Sequence, residues 1–396
     1  MEFAFTDEQC ELAGVVRSFL TRHAGEQDVR KLMETELGFD PGVWRQLATD
    51  IGVQGLAIPE RYGGAGAGFV ELGVVLKEAG RALFVAPLFS TAVLAVHTLL
   101  LSGDEAACAR YLPRIAAGDM VATLAVDEPF AGPDDGPVSD AAGSAPVGMA
   151  ASRRGESWSL SGVKTRVIDG LLADLIIVAA RTEAGLSLFT VDADTPGLLR
   201  EPLTALDPTR KLARLSFDQV EARLLGEGAG RPVLDAVLDL AAVGLAAEQV
   251  GGAQRCLELS VEHAKERIQF GRPIGTFQSI KHLCADMLLE VERAEAAVDY
   301  TLWAAAERTD DFPVLASMTR ALCSDTYASL AFSTIQVLGG VGFTWEHPAH
   351  LYLRRARSSA LMLGTADEHR ELMMQRLESP TRTLRCSAYD SAPAAP

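Results

Sequence analysis

An arginine that closes a helical stretch, followed at once by an amide, an aromatic ring and a glycine, is an arrangement that can grip a pyrophosphate. The chain carries it in AKERIQFGRPIGTFQSIKH, Ala264 to His282, where Arg267 is followed by Gln269, Phe270 and Gly271. Pro273 forces the chain into a turn before Phe277 opens the next helix. A guanidinium fork supplies charge-assisted hydrogen bonds to phosphate oxygens, and the neighbouring ring offers an apolar face. Taken singly, Arg267 reads better as a charged helix end and Phe270 as an ordinary core contact, and only the whole string is specific. Further along, QVLGGVGFTWEHPAHLYLRRA (Gln336 to Ala356) holds the adjacent glycines Gly339 and Gly340. Without Cβ atoms they let backbone approach a ligand closely, the other reading being a helix C-cap. His347 and His350 have H-x-x-H spacing, but Pro348 intervenes and no third ligand is evident, so the set is incomplete for a metal.

Three stretches of different period must position these residues. From Thr6 to about residue 117 the pattern is helical. FTDEQCELAGVVRSFLTRHA puts Leu12, Val15, Val16, Phe19 and Leu20 on one face, with Thr6 or Asp7 as the N-cap. Between Met120 and Leu225 the runs WSLSGVKTRVI, ADLIIVAARTE, LSLFTVDA and LARLSFDQV, broken by Gly, Pro and Asp, read as strands. FAGPDDGPVSDAAGSAPVGMA reads as a mobile loop among them. Past Pro232 helical periodicity returns, with Phe277, Ile280, Cys284, Met287, Leu288 and Val291 on one face. The glycine-rich IPERYGGAGAGFVELG has no preceding strand and does not complete a dinucleotide loop. The expected class is α+β: an N-terminal helical domain over 1–118, a middle β-barrel-like domain over 119–226, a C-terminal four-helix bundle over 227–380, and a disordered tail, TRTLRCSAYDSAPAAP, over 381–396.

Composition excludes several classes. With 396 residues, 48% of them hydrophobic, the chain can bury a sizeable core. A formal charge of −17 with no basic stripe disfavours nucleic acid, so any phosphate ligand must be met locally. The six cysteines form no C-x-x-C pair, which fits a reducing cytoplasm rather than a disulfide framework or zinc ribbon. MEFAFTDEQCELAGVV lacks a basic leader, and no apolar run approaches the roughly 18 residues of a membrane span, so a soluble, cytoplasmic protein is expected.

The two motif segments, with the order helices, strands, helices, resemble the acyl-CoA dehydrogenase family over nearly the whole chain. The resemblance implies a flavoprotein oxidoreductase that uses FAD to introduce an α,β double bond into an acyl-CoA or other acyl thioester, its electrons passing to an electron-transfer flavoprotein. It assigns Arg267, Gln269, Phe270 and Gln278 to FAD, partly from a neighbouring subunit, and Gln336, Gly339 and Gly340 to the adenosine end. Thr365 would touch the cofactor, a role compatible with capping the helix at ADEHRELM. LAVDEPF and GVKTRVI match the family's flavin-lining strands, which brings in Val126, Asp127, Val167 and Ile168. Because each FAD site crosses a subunit boundary, the resemblance implies a homotetramer, or a heterotetramer with a related chain.

At the catalytic positions the sequence departs from the pattern. The family's glutamate before Gly-Thr is Leu363 in LMLGT, and the alternative position used by some branched-chain members is Ala241. A base must take the α-proton while the flavin accepts hydride from Cβ, and Leu363 offers only its backbone N–H to the thioester oxygen. Glu248, two helical turns beyond Ala241, is the substitute base. Its surroundings, LAAEQVGGA, are small and apolar, a setting that raises a carboxyl pKa towards the working range, though a structural pairing fits the same residue. Arg166 stands where the family has a tryptophan, Ile168 where it has a hydroxyl, and Asp127 where it has a threonine. Three readings stay open: a dehydrogenase using Glu248, a catalytically silent subunit whose partner supplies the carboxylate, and a fold redirected to other acyl-thioester chemistry or binding.

Overall fold

The computed structural model describes residues 5–126, 148–155, 157–228 and 230–378. Asp127, the greater part of the Gly- and Pro-rich insert, and the 381–396 tail lie outside them. Helices come first: α1 (Asp7–His23), α2 (Glu26–Met33), α3 (Pro41–Gln46), α4 (Phe69–Arg81), α5 (Val96–Leu101) and α6 (Glu105–Ala116). Strands follow: β1 (Ala122–Ala125), β2 (Ala150–Arg154), β3 (Ser157–Ile168), β4 (Leu175–Thr182), β5 (Gly185–Asp192), β6 (Leu198–Leu203) and β7 (Leu212–Leu225). Then come α7 (Gly230–Glu266), the two-residue strands β8 (Ile268–Gln269) and β9 (Arg272–Pro273), α8 (Gln278–Glu307), α9 (Phe312–Leu338), α10 (Gly340–Phe343), α11 (Ala349–Ser359) and α12 (Ala366–Glu378). The helices, strands, helices order and the α+β class stand as expected.

The described residues form two compact units, one of residues 5–34, 69–85 and 242–378, the other of 35–68 and the described part of 86–241. In the second, β4, β2, β3, β7 and β5 pair in succession and β5 returns to β4, so the sheet closes on itself. The β2–β4 closure rests on the single pair Ala150–Arg181. β1 lies beside β4 and β6 beside β7. Closure leaves an interior packed by alternate residues, among them Leu160, Val167, Ile176, Val178, Phe189 and Leu215. The short strands β2 and β6 are not legible as sequence, because AASRR and LLREPL show no clean alternation, whereas β1 runs into the LAVDEPF segment that the resemblance marks as a strand. A wholly buried π-helical stretch, Phe89–Ala95, runs into α5. Its Ser90 Oγ donates to Asp169 at 2.6 Å, and Thr91 Oγ1 to the Ala122 carbonyl at 3.1 Å.

In the helical unit, α1 begins with a reciprocal capping box: the Gln9 amide donates to Thr6 Oγ1 and the Thr6 amide to Gln9 Oε1. The buried face of α1 is Val16, Phe19 and Leu20, whereas Val15 turns outward, since the true stripe is narrower than the apolar run. On α8 the buried stripe is Met287, Val291, Ala294, Val298 and Leu302, and Leu288, placed on that face by its apolar character, is exposed together with Leu289. One core cluster joins Val29 and Met33 to Leu83, Cys256, Leu257, Met287, Tyr327, Leu330, Leu351 and Tyr352. Around it α4 is tied by charge. Lys77 pairs with Glu295 and Asp299, Glu78 with Arg17, and Arg81 with Glu258. Burial pushes the Asp299 carboxyl above its ordinary range although Lys77 opposes the shift.

Candidate active site and cofactor contacts

Helix α7 ends at Glu266, and β8 and β9 then form a small hairpin in which Ile268 pairs with Pro273 and Gln269 with Arg272. The chain reverses at Phe270 and Gly271, with φ of 52° and 76°, the left-handed pair that a two-residue hairpin turn requires. The reversal therefore precedes Pro273, because Gly271 admits that conformation freely. Phe270 adopts it at a cost of roughly 1 kcal/mol, and its ring is 89% exposed, meeting Phe277 edge-on with centroids 6.0 Å apart. Arg267, Gln269 and Gln278 are exposed as well. So are Gln336, Gly339 and Gly340, at the junction of α9 and α10. Gly339 does cap α9, and a Cβ added to either glycine would meet nothing within 4 Å. These residues thus lie on open surface of the helical unit, where a ligand or a second chain can reach backbone and side chains.

The residues assigned on the β unit are placed differently. Val167 and Ile168 are buried, Val167 inside the barrel core, so each could serve a ligand through backbone groups alone. The Ile168 carbonyl accepts from Thr123 Oγ1 at 2.6 Å, and the Val126 carbonyl from the fully buried Lys164 Nζ at 3.0 Å. Arg166 is exposed with φ of 52°, where the β3–β7 register shifts between Lys164 and Val167. The irregularity turns the guanidinium out of the sheet.

Glu248 sits where α7 crosses α4 with backbone against backbone. A Cβ on Gly80 would lie 1.9 Å from the Glu248 carbonyl oxygen, and one on Gly251 only 1.8 Å from that of Lys77, so only glycines permit the approach. The carboxylate is 2.7 Å from Arg355 Nη1, with the two side chains 8% and 4% exposed. This corrects the expected apolar setting: LAAEQVGGA describes one helix face only, and the guanidinium arrives from α11. Within the helical unit a buried ion pair, rather than a carboxyl among methyl groups, occupies the position.

Leu363 lies in the turn between α11 and α12 with φ of 55°, a left-handed conformation uncommon for leucine. The carbonyls of Ser359, Met362, Leu363 and Gly364 around it are held. Arg320, fully buried on α9, donates from Nη2 to the carbonyls of Ser359 and Met362, both at 2.7 Å, and more weakly to that of Gly364 at 3.4 Å. Its Nη1 bonds Ser324 Oγ and, at 3.3 Å, Gln249 Oε1. His369 Nε2 lies 2.8 Å from the Leu363 carbonyl, so Nε2 carries the proton. Its buried Nδ1 has no partner among the described residues, and burial lowers the imidazole pKa to about 4. Thr365 caps α12 in a capping box with Glu368, whose carboxylate accepts from the Thr365 amide at 2.6 Å. By contrast, the amides of Leu363 and Gly364 donate to no group among the described residues. Sequence reasoning missed Arg320 and Arg355, and it reads His369, with Asp367 and Glu368, as a first-turn helix charge, whereas the ring is bonded to the Leu363 carbonyl. For Arg320 there was one signal, a lone basic residue in the otherwise small and apolar stretch that becomes α9.

Two family models match the chain. Residues 6–119 fit the acyl-CoA dehydrogenase N-terminal domain and residues 228–378 its C-terminal domain. The chain belongs to the acyl-CoA dehydrogenase family. The acyl-CoA dehydrogenase IpdE2 of Mycobacterium tuberculosis is 32% identical over 373 residues, spanning 94% of this chain and 97% of that protein. Among solved structures, a variant of the Tcur3481-Tcur3483 steroid ACAD superposes with a TM-score of 0.83 at 32% identity, covering 94% and 98% of the two chains. The ChsE4-ChsE5 complex of Mycobacterium tuberculosis gives 0.86 at 27%, covering 96% and 100%. An acyl-CoA dehydrogenase-like flavoprotein oxidoreductase is therefore the class to which the site belongs. Among the described residues no helix is long and apolar enough to cross a membrane, and no cluster of three metal-ligating side chains occurs.

Proposed function

We propose that this chain is the FAD-binding, acyl-thioester-binding subunit of an acyl-CoA dehydrogenase whose proton-abstracting carboxylate comes from a related partner chain. One observation carries the reading: the turn at Leu363 keeps two amides without acceptors among the described residues in a braced loop, while Glu248, the acid expected as base, is held by Arg355 in a buried ion pair and Glu368 is taken up in the Thr365 cap. A loop built to donate N–H groups has been kept where the base has not. A two-chain assembly occurs among the structural relatives, the ChsE4-ChsE5 complex.

The cofactor surface is consistent with FAD. Arg267, Gln269, Phe270 and Gln278 are exposed around the hairpin, and Gln336 stands beside two glycines that leave room for close approach. Arg267 would meet phosphate oxygens, Phe270 a ring face, and the Gly339–Gly340 backbone the adenosine end. Thr365, Val126, Asp127, Val167 and Ile168 complete the expected set, Val167 and Ile168 through main-chain groups. When bound, FAD supplies the hydride acceptor for the acyl Cβ. The Leu363 and Gly364 amides hold the thioester carbonyl oxygen as negative charge develops on it. An electron-transfer flavoprotein is the expected electron acceptor.

The alternative, a homotetramer using Glu248 as base, requires the ion pair to open. Purification with and without a co-expressed related chain separates the two readings by native mass, flavin absorbance and anaerobic acyl-CoA titration. The proposal expects flavin bleaching by acyl-CoA only in the two-chain assembly. Full flavin occupancy and bleaching by this chain alone would refute it.

A further inference from the structure

The peptide linking Met362 to Leu363 contributes a carbonyl at one edge and the Leu363 N–H at the other. In a trans peptide the two point in opposite directions. Arg320 Nη2 bonds that carbonyl at 2.7 Å. The next peptide repeats the arrangement, with the Leu363 carbonyl bonded by His369 Nε2 at 2.8 Å and the Gly364 N–H on the far edge. Both N–H groups are without an acceptor among the described residues, whereas both carbonyls are occupied by buried donors. A hydrogen bond accepted by a carbonyl polarises its amide and strengthens the N–H on the other side, and low surrounding dielectric enlarges the effect. Successive amides across a left-handed residue form a concavity that takes a negatively charged oxygen. Leu363, at φ of 55°, is such a residue.

We propose that Arg320 and His369 are positioning residues that aim and polarise the Leu363 and Gly364 amides for the carbonyl oxygen of a bound acyl thioester. The inference rests on the acyl-thioester reading above. Arg320 acts on the first peptide and, through the Ser359 and Gly364 carbonyls, on the path of the whole turn. His369 acts on the second peptide, and its proton on Nε2 with an unpartnered Nδ1 marks a neutral ring committed to one donor bond. Neither side chain need touch substrate, because their influence passes through the intervening amides.

The test is the thioester carbonyl stretch of a non-oxidisable acyl-CoA analogue labelled with carbon-13 at C1, recorded by isotope-edited infrared difference on the FAD-loaded assembly of this chain with its partner, every substitution being made in this chain. Wild type should bind acyl-CoA and shift the stretch to lower frequency than in water. Arg320→Met should lose most of that shift and His369→Leu part of it, with affinity falling no more than about tenfold. Arg320→Lys and His369→Gln, which keep a donor for the same carbonyls, should recover much of the shift. A purely structural role would change folding or affinity without this ordered loss and rescue. If Arg320→Met does not fold, the His369→Leu and His369→Gln pair decides by itself. Binding with an unchanged frequency in the folded variants would overturn the inference alone, and wild type that binds no acyl-CoA would overturn the acyl-thioester reading with it.

Discussion

Replacing Glu248 separates a structural ion pair from a catalytic base. Its carboxylate and the Arg355 guanidinium are 2.7 Å apart with 8% and 4% of their side chains exposed, so each is the other's substitute for water. Removing one member strands a charge in the interior, at about 3–5 kcal/mol, while replacing both by hydrocarbon of similar volume is often close to neutral. The helical unit falls in the size range where 1 kcal/mol moves the melting temperature by about 2–4 °C. Glu248→Leu and Arg355→Met should therefore each lower it by roughly 10 °C. The double variant should recover most of the loss, giving a coupling of at least about 2 kcal/mol in the double-mutant cycle. Calorimetry supplies the melting temperatures and anaerobic stopped flow the rate of flavin bleaching in the assembled enzyme. If Glu248→Leu melts within about 2 °C of wild type and abolishes bleaching, the pairing argument fails and Glu248 is the base.

Leu363→Glu should install a proton acceptor on the braced turn, and bleaching of this chain's flavin by acyl-CoA should rise by at least about 100-fold, the lower range for general-base catalysis. Phe270→Asn relieves a left-handed strain at an exposed site, so it should stabilise the chain by up to about 1 kcal/mol while lowering the flavin retained per chain after gel filtration. Gly251→Ala places a methyl 1.8 Å from the Lys77 carbonyl and should cost about 3 kcal/mol or more, read from urea midpoints. His97 is buried with its pKa lowered to about 4, below the roughly 6.5 of an unfolded chain, so the unfolded state binds the extra proton first. Its share of stability is intact above pH 6.5 and shrinks as pH falls towards 4, by up to roughly 3 kcal/mol, and His97→Gln should remove that part of the slope in urea titrations at pH 7 and 4.5.

Much of the architecture can be read from pattern, because α1 and α8 bury one stripe and β7 alternates, while β4 and β5 stand out as continuous apolar runs buried on both faces. β2 and β6 are illegible, being too short to show a repeat, and β1 is marked only by the family resemblance of LAVDEPF. The cofactor string from Arg267 to Gln278 is local, so its residue types survive as sequence, but the position of the turn depends on which residue can take a positive φ. The setting of Glu248 escapes the sequence for a different reason. Its partner lies over a hundred positions away on α11, and a pattern along one helix carries no information about a guanidinium from another. The same holds for Arg320 and His369, whose acceptors within the turn are main-chain oxygens and leave no mark on residue identity at Leu363.

The bracing of this turn reaches only carbonyls and a helix cap, so the identity of the side chain at 363 adds little to its shape. An acid and a hydrocarbon can therefore be exchanged there without rebuilding the scaffold. Duplicated genes encoding such chains could divide labour between copies, one retaining chemistry and the other retaining grip, while both preserve surfaces able to assemble together.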